Sequence, residues 1–166
     1  TYTFEPNLDL VFGRAVLHHT RAPQDIYAHA AASLNPGGFV AFQEPVVSAV
    51  NRTQLPTPIV QLWDWYKALG DAGGFHFDAG EELASFARKE GLQIVELSEF
   101  EPLLVSPQDL SMQTVPLSIF GDGLVSAGIA SMEEIAGVQA GIEAEVARGA
   151  PLHYLPFILC VAMRPF

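Results

Sequence analysis

The sequence is poor in cysteine, in positive charge and in long apolar runs. Cys160 is the only cysteine among 166 residues, so no internal disulfide can form, and no paired Cys/His pattern exists to hold zinc. It lies in the apolar run Pro156-Phe-Ile-Leu-Cys-Val-Ala-Met163 and reads as a core residue. Lysine and arginine number eight against nineteen aspartates and glutamates, a net charge of −11. Such a field repels phosphate backbones and anionic membrane surfaces, which argues against nucleic acid and membrane as partners and suits a neutral or cationic small molecule. No apolar stretch reaches the ~20 residues of a membrane span. The opening Thr1-Tyr-Thr-Phe-Glu-Pro6 lacks the basic-then-apolar order of a signal peptide. A soluble, cytoplasmic protein is expected. Internal repeats, low-complexity tracts and an obvious interdomain linker are absent too, and so is any G-x-G-x-x-G or G-x-G-x-G phrase.

With 49% hydrophobic and 16% charged residues, the chain has the composition of a globular domain with a real core. Leu8-Asp-Leu-Val-Phe12, ending at Gly13, reads as a buried strand, and Arg14-Ala-Val-Leu-His-His19 as a turn or short helix. Pro23 suits the first turn of a helix whose face is Tyr27, Ala30, Ala31 and Leu34. Asn35-Pro36-Gly37-Gly38 is expected to end it as a turn before a second strand, Phe39–Phe42, closed by Gln43-Glu44-Pro45. Strand, helix, turn and strand over residues 1–45 make a βαβ unit with parallel strands and a right-handed crossover. Residues 46–78 crowd Trp63, Trp65, Tyr66, Phe75 and Phe77 together. Part of this stretch has helical spacing at Ile59, Leu62, Trp63 and Tyr66. Asp78 with Glu81 resembles a capping box, opening a helix stopped by Gly91. A strand over 92–98 then completes a segment 79–100. Residues 101–130 read as loop. Ser131 with Glu134 is a second capping box, and Ile135, Val138, Ile142 and Val146 form a helical stripe. The last strand falls in 157–166.

Two phrases carry a resemblance. Leu8-Asp-Leu-Val-Phe-Gly-Arg-Ala-Val-Leu-His-His19 resembles the fourth-strand motif of class I S-adenosylmethionine-dependent methyltransferases, and Leu34-Asn-Pro-Gly-Gly-Phe-Val-Ala-Phe42 resembles their turn and fifth strand, at the right spacing. The junction at Gly91-Leu92 and the ending Val161-Ala-Met-Arg-Pro165 are similar to later parts of that fold. The resemblance implies an α/β, Rossmann-like methyltransferase sheet, here its C-terminal part, with the first three strands parallel and the last inserted antiparallel. It implies S-adenosylmethionine as cofactor and methyl transfer to an oxygen or nitrogen of a small-molecule acceptor. The family's Gly-rich cofactor loop and ribose-binding acid have no counterpart in these 166 residues. The chain alone is therefore expected to bind the cofactor poorly and to be inactive. The missing half would lie upstream or come from another chain; the expected partners are that half or, separately, a second copy in a homo-oligomer. The rival reading is a truncated, non-catalytic fragment or pseudoenzyme that works as a binding or assembly partner.

Ligands of open α/β sheets bind outside the carboxyl ends of the strands. Gly13, Arg14, Ala15 and His19 are accordingly the candidate cofactor contacts, although Gly13 could simply permit a tight turn. His18 is the candidate base, because a neutral imidazole can take a proton from a hydroxyl or amine; its plainer alternative is a hydrogen bond to loop backbone. Glu44, at the end of the second strand, is the second choice, or else a solvated strand-end carboxylate. Segments 46–78 and 101–156 are read as covering the substrate, with Trp65, His76 and His153 as candidate acceptor contacts and ordinary packing as the alternative. No metal ligands are expected.

Overall fold

The computed structural model describes residues 4–166; residues 1–3, the opening of the expected 1–45 unit, lie outside the described residues. In chain order the elements are β1 (Leu8–Arg14), α1 (Pro23–Ser33), β2 (Leu34–Pro45), α2 (Thr57–Gly73), α3 (Ala79–Lys89), β3 (Gln93–Phe100), β4 (Leu103–Leu104), α4 (Pro107–Ser111), α5 (Val115–Ser126), α6 (Met132–Arg148), β5 (Leu152–His153) and β6 (Phe157–Met163). They form two compact units, each assembled from discontinuous segments: 1–46, 75–100 and 156–166 in the first, 47–74 and 101–155 in the second.

The first unit is a four-stranded sheet in the order β1-β2-β6-β3. β1 and β2 are parallel, joined through α1 as the βαβ pattern predicts. β6 lies antiparallel to β2 on one side and to β3 on the other, so β1, β2 and β3 run one way and β6 the other. α1 and α3 pack on the sheet face that carries Val11, Val40, Phe42, Cys160 and Ala162. Tyr27, Ala30, Leu83, Phe86 and Ala87 are the helical side of that core. Burial of these apolar faces is the main force holding the layer together.

Two local expectations need correction. The Asn35–Gly38 phrase is not a turn ahead of the strand: Leu34 already pairs with Leu8, and Phe39 pairs with Leu10, so the extra residues are taken up as an irregularity within β2. Gly37 absorbs it at φ 79°, and its N–H donates to the Arg164 carbonyl at 2.8 Å. At the start of α3, Asp78 forms no side-chain cap, because the Glu81 N–H that a capping box would use donates to the Asp78 main-chain carbonyl at 3.0 Å.

The second unit packs α2, α5 and α6 together, with α4 against α6 and a short antiparallel β4–β5 pair. Ile59, Leu62, Trp63, Trp65, Leu117, Leu124, Ile135 and Ile142 are its buried large apolar residues on the three longer helices. Ser131 and Glu134 make the expected capping box of α6. The region read as loop holds two helices, α4 and α5. α4 opens with a box of its own, Ser106 accepting from the Asp109 N–H at 3.1 Å and Asp109 reaching back to the Ser106 N–H at 3.2 Å. No helix among the described residues is long and apolar enough to cross a membrane.

Candidate functional site

The β1–β2 pairing sets the site. Gly13 stands opposite Phe42 and Arg14 opposite Gln43, which brings the turn after β1 beside Glu44. The chain leaves β1 through Ala15 at φ 51°, a left-handed conformation uncommon for a residue with a Cβ, and the Ala15 N–H donates to the Gln43 carbonyl at 2.8 Å. Residues 17–19 then form a single 3-10 turn.

Glu44 is wholly buried, at 0% exposure. Its Oε1 accepts from the Val16 and Leu17 N–H groups, each at 2.9 Å. Its Oε2 accepts from the His18 N–H at 3.2 Å and lies 2.8 Å from His18 Nδ1. The main-chain donors at the start of a helical turn have no partner inside the turn, and one carboxylate satisfies three of them. A buried carboxylate is costly unless it is paired and hydrogen-bonded; here every acceptor direction is used.

His18 is 4% exposed. Its ring lies 3.8 Å from the His19 ring and 5.7 Å from that of Phe77, edge-on to the latter. Nε2 makes no hydrogen bond to a described residue, and it is not among the fully buried unpaired atoms. Desolvation first, and then the neighbouring His18, hold the His19 imidazole below its ordinary pKa, against an opposing pull from the Glu44 carboxylate. His19 is therefore neutral near pH 7.

The structure brings His18, His19 and Glu44 together, with Gly13, Arg14 and Ala15 leading into them. Gly13 is filled in by its own sheet: a Cβ there would fall 2.2 Å from Cε1 of Phe42. Arg14 is exposed, with its guanidinium 5.9 Å from the Phe157 ring centroid. His76 belongs to the same unit and pairs with Glu82 at 3.0 Å, away from Glu44's hydrogen-bond set. Phe75 and Phe77, expected in a lid, stack at 6.0 Å, and the Arg21 guanidinium covers the Phe75 ring.

Trp65 and His153 lie in the second unit. Trp65 is 9% exposed, so most of its ring is packed rather than open. His153 Nδ1 sits 3.1 Å from Glu101 Oε2, close enough for attraction but not aligned as a hydrogen bond. Phe77, from the segment read as covering the substrate, lies edge-on to both histidines of the 3-10 turn, at 5.7 and 6.0 Å between ring centroids.

A sheet in which an antiparallel last strand enters between parallel neighbours, in the order β1-β2-β6-β3, matches the Rossmann-like fold of solved methyltransferase structures. Solved structures with this fold include a protein of Bacillus halodurans described as a methyltransferase, with a TM-score of 0.54 at 14% identity over 99% of this chain and 73% of its own. Haemonchus contortus phosphoethanolamine N-methyltransferase 2, in complex with phosphomonomethylethanolamine and S-adenosylhomocysteine, gives a TM-score of 0.51 at 16% identity over 99% of this chain and 35% of its own. The YcgJ protein of Bacillus subtilis gives 0.51 at 13% identity, over 100% of this chain and 68% of its own. No family model matches the sequence, and no curated protein matches it.

Proposed function

We propose that the chain serves S-adenosylmethionine-dependent methyl transfer to an oxygen or nitrogen of a small-molecule acceptor, as the C-terminal part of a complete domain. The observation that carries this reading is the histidine-bearing turn at the carboxyl ends of β1 and β2, in a sheet of methyltransferase topology. The net charge of −11 favours a neutral or cationic acceptor over nucleic acid.

When bound, the cofactor supplies a methyl group on a sulfonium cation. The residues present fit it as one wall of a site. Gly13 has no free space beside it and the Ala15 N–H is taken by the Gln43 carbonyl, whereas the exposed Arg14 side chain and the His19 ring are available to a ligand. The main-chain N–H groups of residues 16–18 are consumed by Glu44 and hold nothing else. The Gly-rich cradle would come from polypeptide beyond these 166 residues. His18 is the residue we assign as base: its Nε2 takes the proton of the acceptor's hydroxyl or amine. For Trp65, His76 and His153 the acceptor role stays a proposal; the His76 and His153 side chains are each 37% exposed and Trp65 is 9% exposed.

The test is turnover by the complete gene product with S-adenosylmethionine and a panel of phenols, carboxylates and amines, read by mass spectrometry. Expected are S-adenosylhomocysteine and a methylated acceptor in equal amounts. His18→Ala is expected to lower kcat by about 10²–10⁴-fold with cofactor affinity little changed. A folded His18→Ala enzyme with near-normal kcat removes the base role. Cofactor binding with no methylated product from any acceptor supports a non-catalytic binding partner instead.

A further inference from the structure

Glu44 is tied to its surroundings more tightly than a strand-end carboxylate needs to be. Three main-chain N–H groups and the His18 ring converge on its two oxygens from residues 26 to 28 positions earlier in the chain. Helix α3 closes over the same point. Gly80 approaches so near that a Cβ there would fall 2.7 Å from the Glu44 carbonyl and 2.8 Å from Val46 Cγ2. Because main-chain N–H groups can only donate, the carboxylate is an acceptor towards all three. An ionised carboxylate has no proton to give, so against it the proton of the fourth contact belongs to His18 Nδ1.

We propose that Glu44 is a positioning residue for His18. By accepting the Nδ1–H it selects the tautomer whose Nε2 carries a lone pair, and by clamping residues 16–18 it fixes where that lone pair points. A hydrogen bond at one ring nitrogen decides the role of the other. The arrangement also places a negative charge 2.8 Å from the imidazole, where it offsets the positive charge that forms when Nε2 accepts a proton. His19 and Phe77 flank the ring, at 3.8 and 5.7 Å between centroids. The His19 imidazole is held below its ordinary pKa and adds no competing charge near neutrality. The inference rests on the base role proposed for His18 and gives Glu44 a function that needs no contact with the acceptor.

Two measurements test it. In histidine-labelled complete gene product, nitrogen–proton correlation spectra are expected to show His18 as the Nδ1–H tautomer. The Nε2–H tautomer would overturn the proposal without any variant. In Glu44→Gln, which keeps the size but removes the charge, the tautomer is expected to become mixed. There kcat is expected to fall at least about tenfold, up to the ~10²–10⁴-fold loss of the base itself. The acid limb of the kcat profile should move to lower pH, while acceptor KM changes little. A folded Glu44→Gln enzyme with unchanged kcat and an unmoved acid limb would contradict the proposal. Should the gene product transfer no methyl group, the functional reading fails, whereas the spectra still decide whether Glu44 sets the His18 tautomer.

Discussion

At Gly13 the residue type is dictated by a neighbour in the sheet. A Cβ would fall 2.2 Å from Cε1 and 2.5 Å from Cδ1 of Phe42, a ring buried against Tyr27. Phe42 cannot step aside without disturbing the core beneath β1 and β2, so Gly13→Ala is expected to destabilise the fold by about 1–3 kcal/mol. Urea unfolding measures this, and in a Gly13→Ala/Phe42→Ala double variant the glycine substitution should cost much less. An unchanged midpoint for Gly13→Ala would show that the ring relaxes freely. Glu44→Ala should cost more, about 3–5 kcal/mol, because it strands three N–H groups and a histidine that it now satisfies. His18 and Glu44 were legible in the sequence as polar residues at two strand ends. Their partnership was not, because it depends on the register that sets Arg14 opposite Gln43, which no local pattern encodes.

Elements announced by a periodic apolar face or a capping phrase were legible. α1, α3, α6 and the four long strands follow from such signals, and the Ser131–Glu134 box closes as its spacing predicts. α4 carried the same kind of signal in Ser106-Pro-Gln-Asp109, with proline at the first helical position, and was overlooked because five residues give no periodicity. β4 and β5, two residues each, have no period at all. The two boxes have a measurable consequence. Hydrogen bonds from Ser106 hold Asp109 below its ordinary value of 3.8, and those from Ser131 hold Glu134 below 4.5. Each folded-state pKa is thus lower than its unfolded value. The contribution is fully present above that value and is lost as pH falls through the folded one. Replacing both carboxylates, by Asp109→Asn and Glu134→Gln, should flatten the fall in stability between about pH 5 and pH 3. A slope unchanged from the parent would contradict this. Ser131→Ala at neutral pH should cost about 1 kcal/mol by thermal unfolding.

For the molecule as a whole, the parallel direction of β1, β2 and β3 was readable from the βαβ spacing, whereas the antiparallel β6 followed only from the resemblance to methyltransferases. The segments set apart in the sequence, 46–78 and 101–156, lie near the bounds of the second unit, 47–74 and 101–155, although no linker marks the boundaries. β1 is an edge strand, and its Leu10 and Phe12 remain 57% and 63% exposed. An apolar edge of this kind invites pairing with another chain. The isolated 166 residues are therefore expected to self-associate or to lose stability, as sedimentation would record; a stable monomer would count against this. If these residues form one part of an S-adenosylmethionine site that further polypeptide completes, calorimetric titration with S-adenosylmethionine will find one site per chain in the complete gene product and no measurable binding by the isolated 166 residues. Binding of equal affinity by the isolated chain, or none by the complete product, would contradict this.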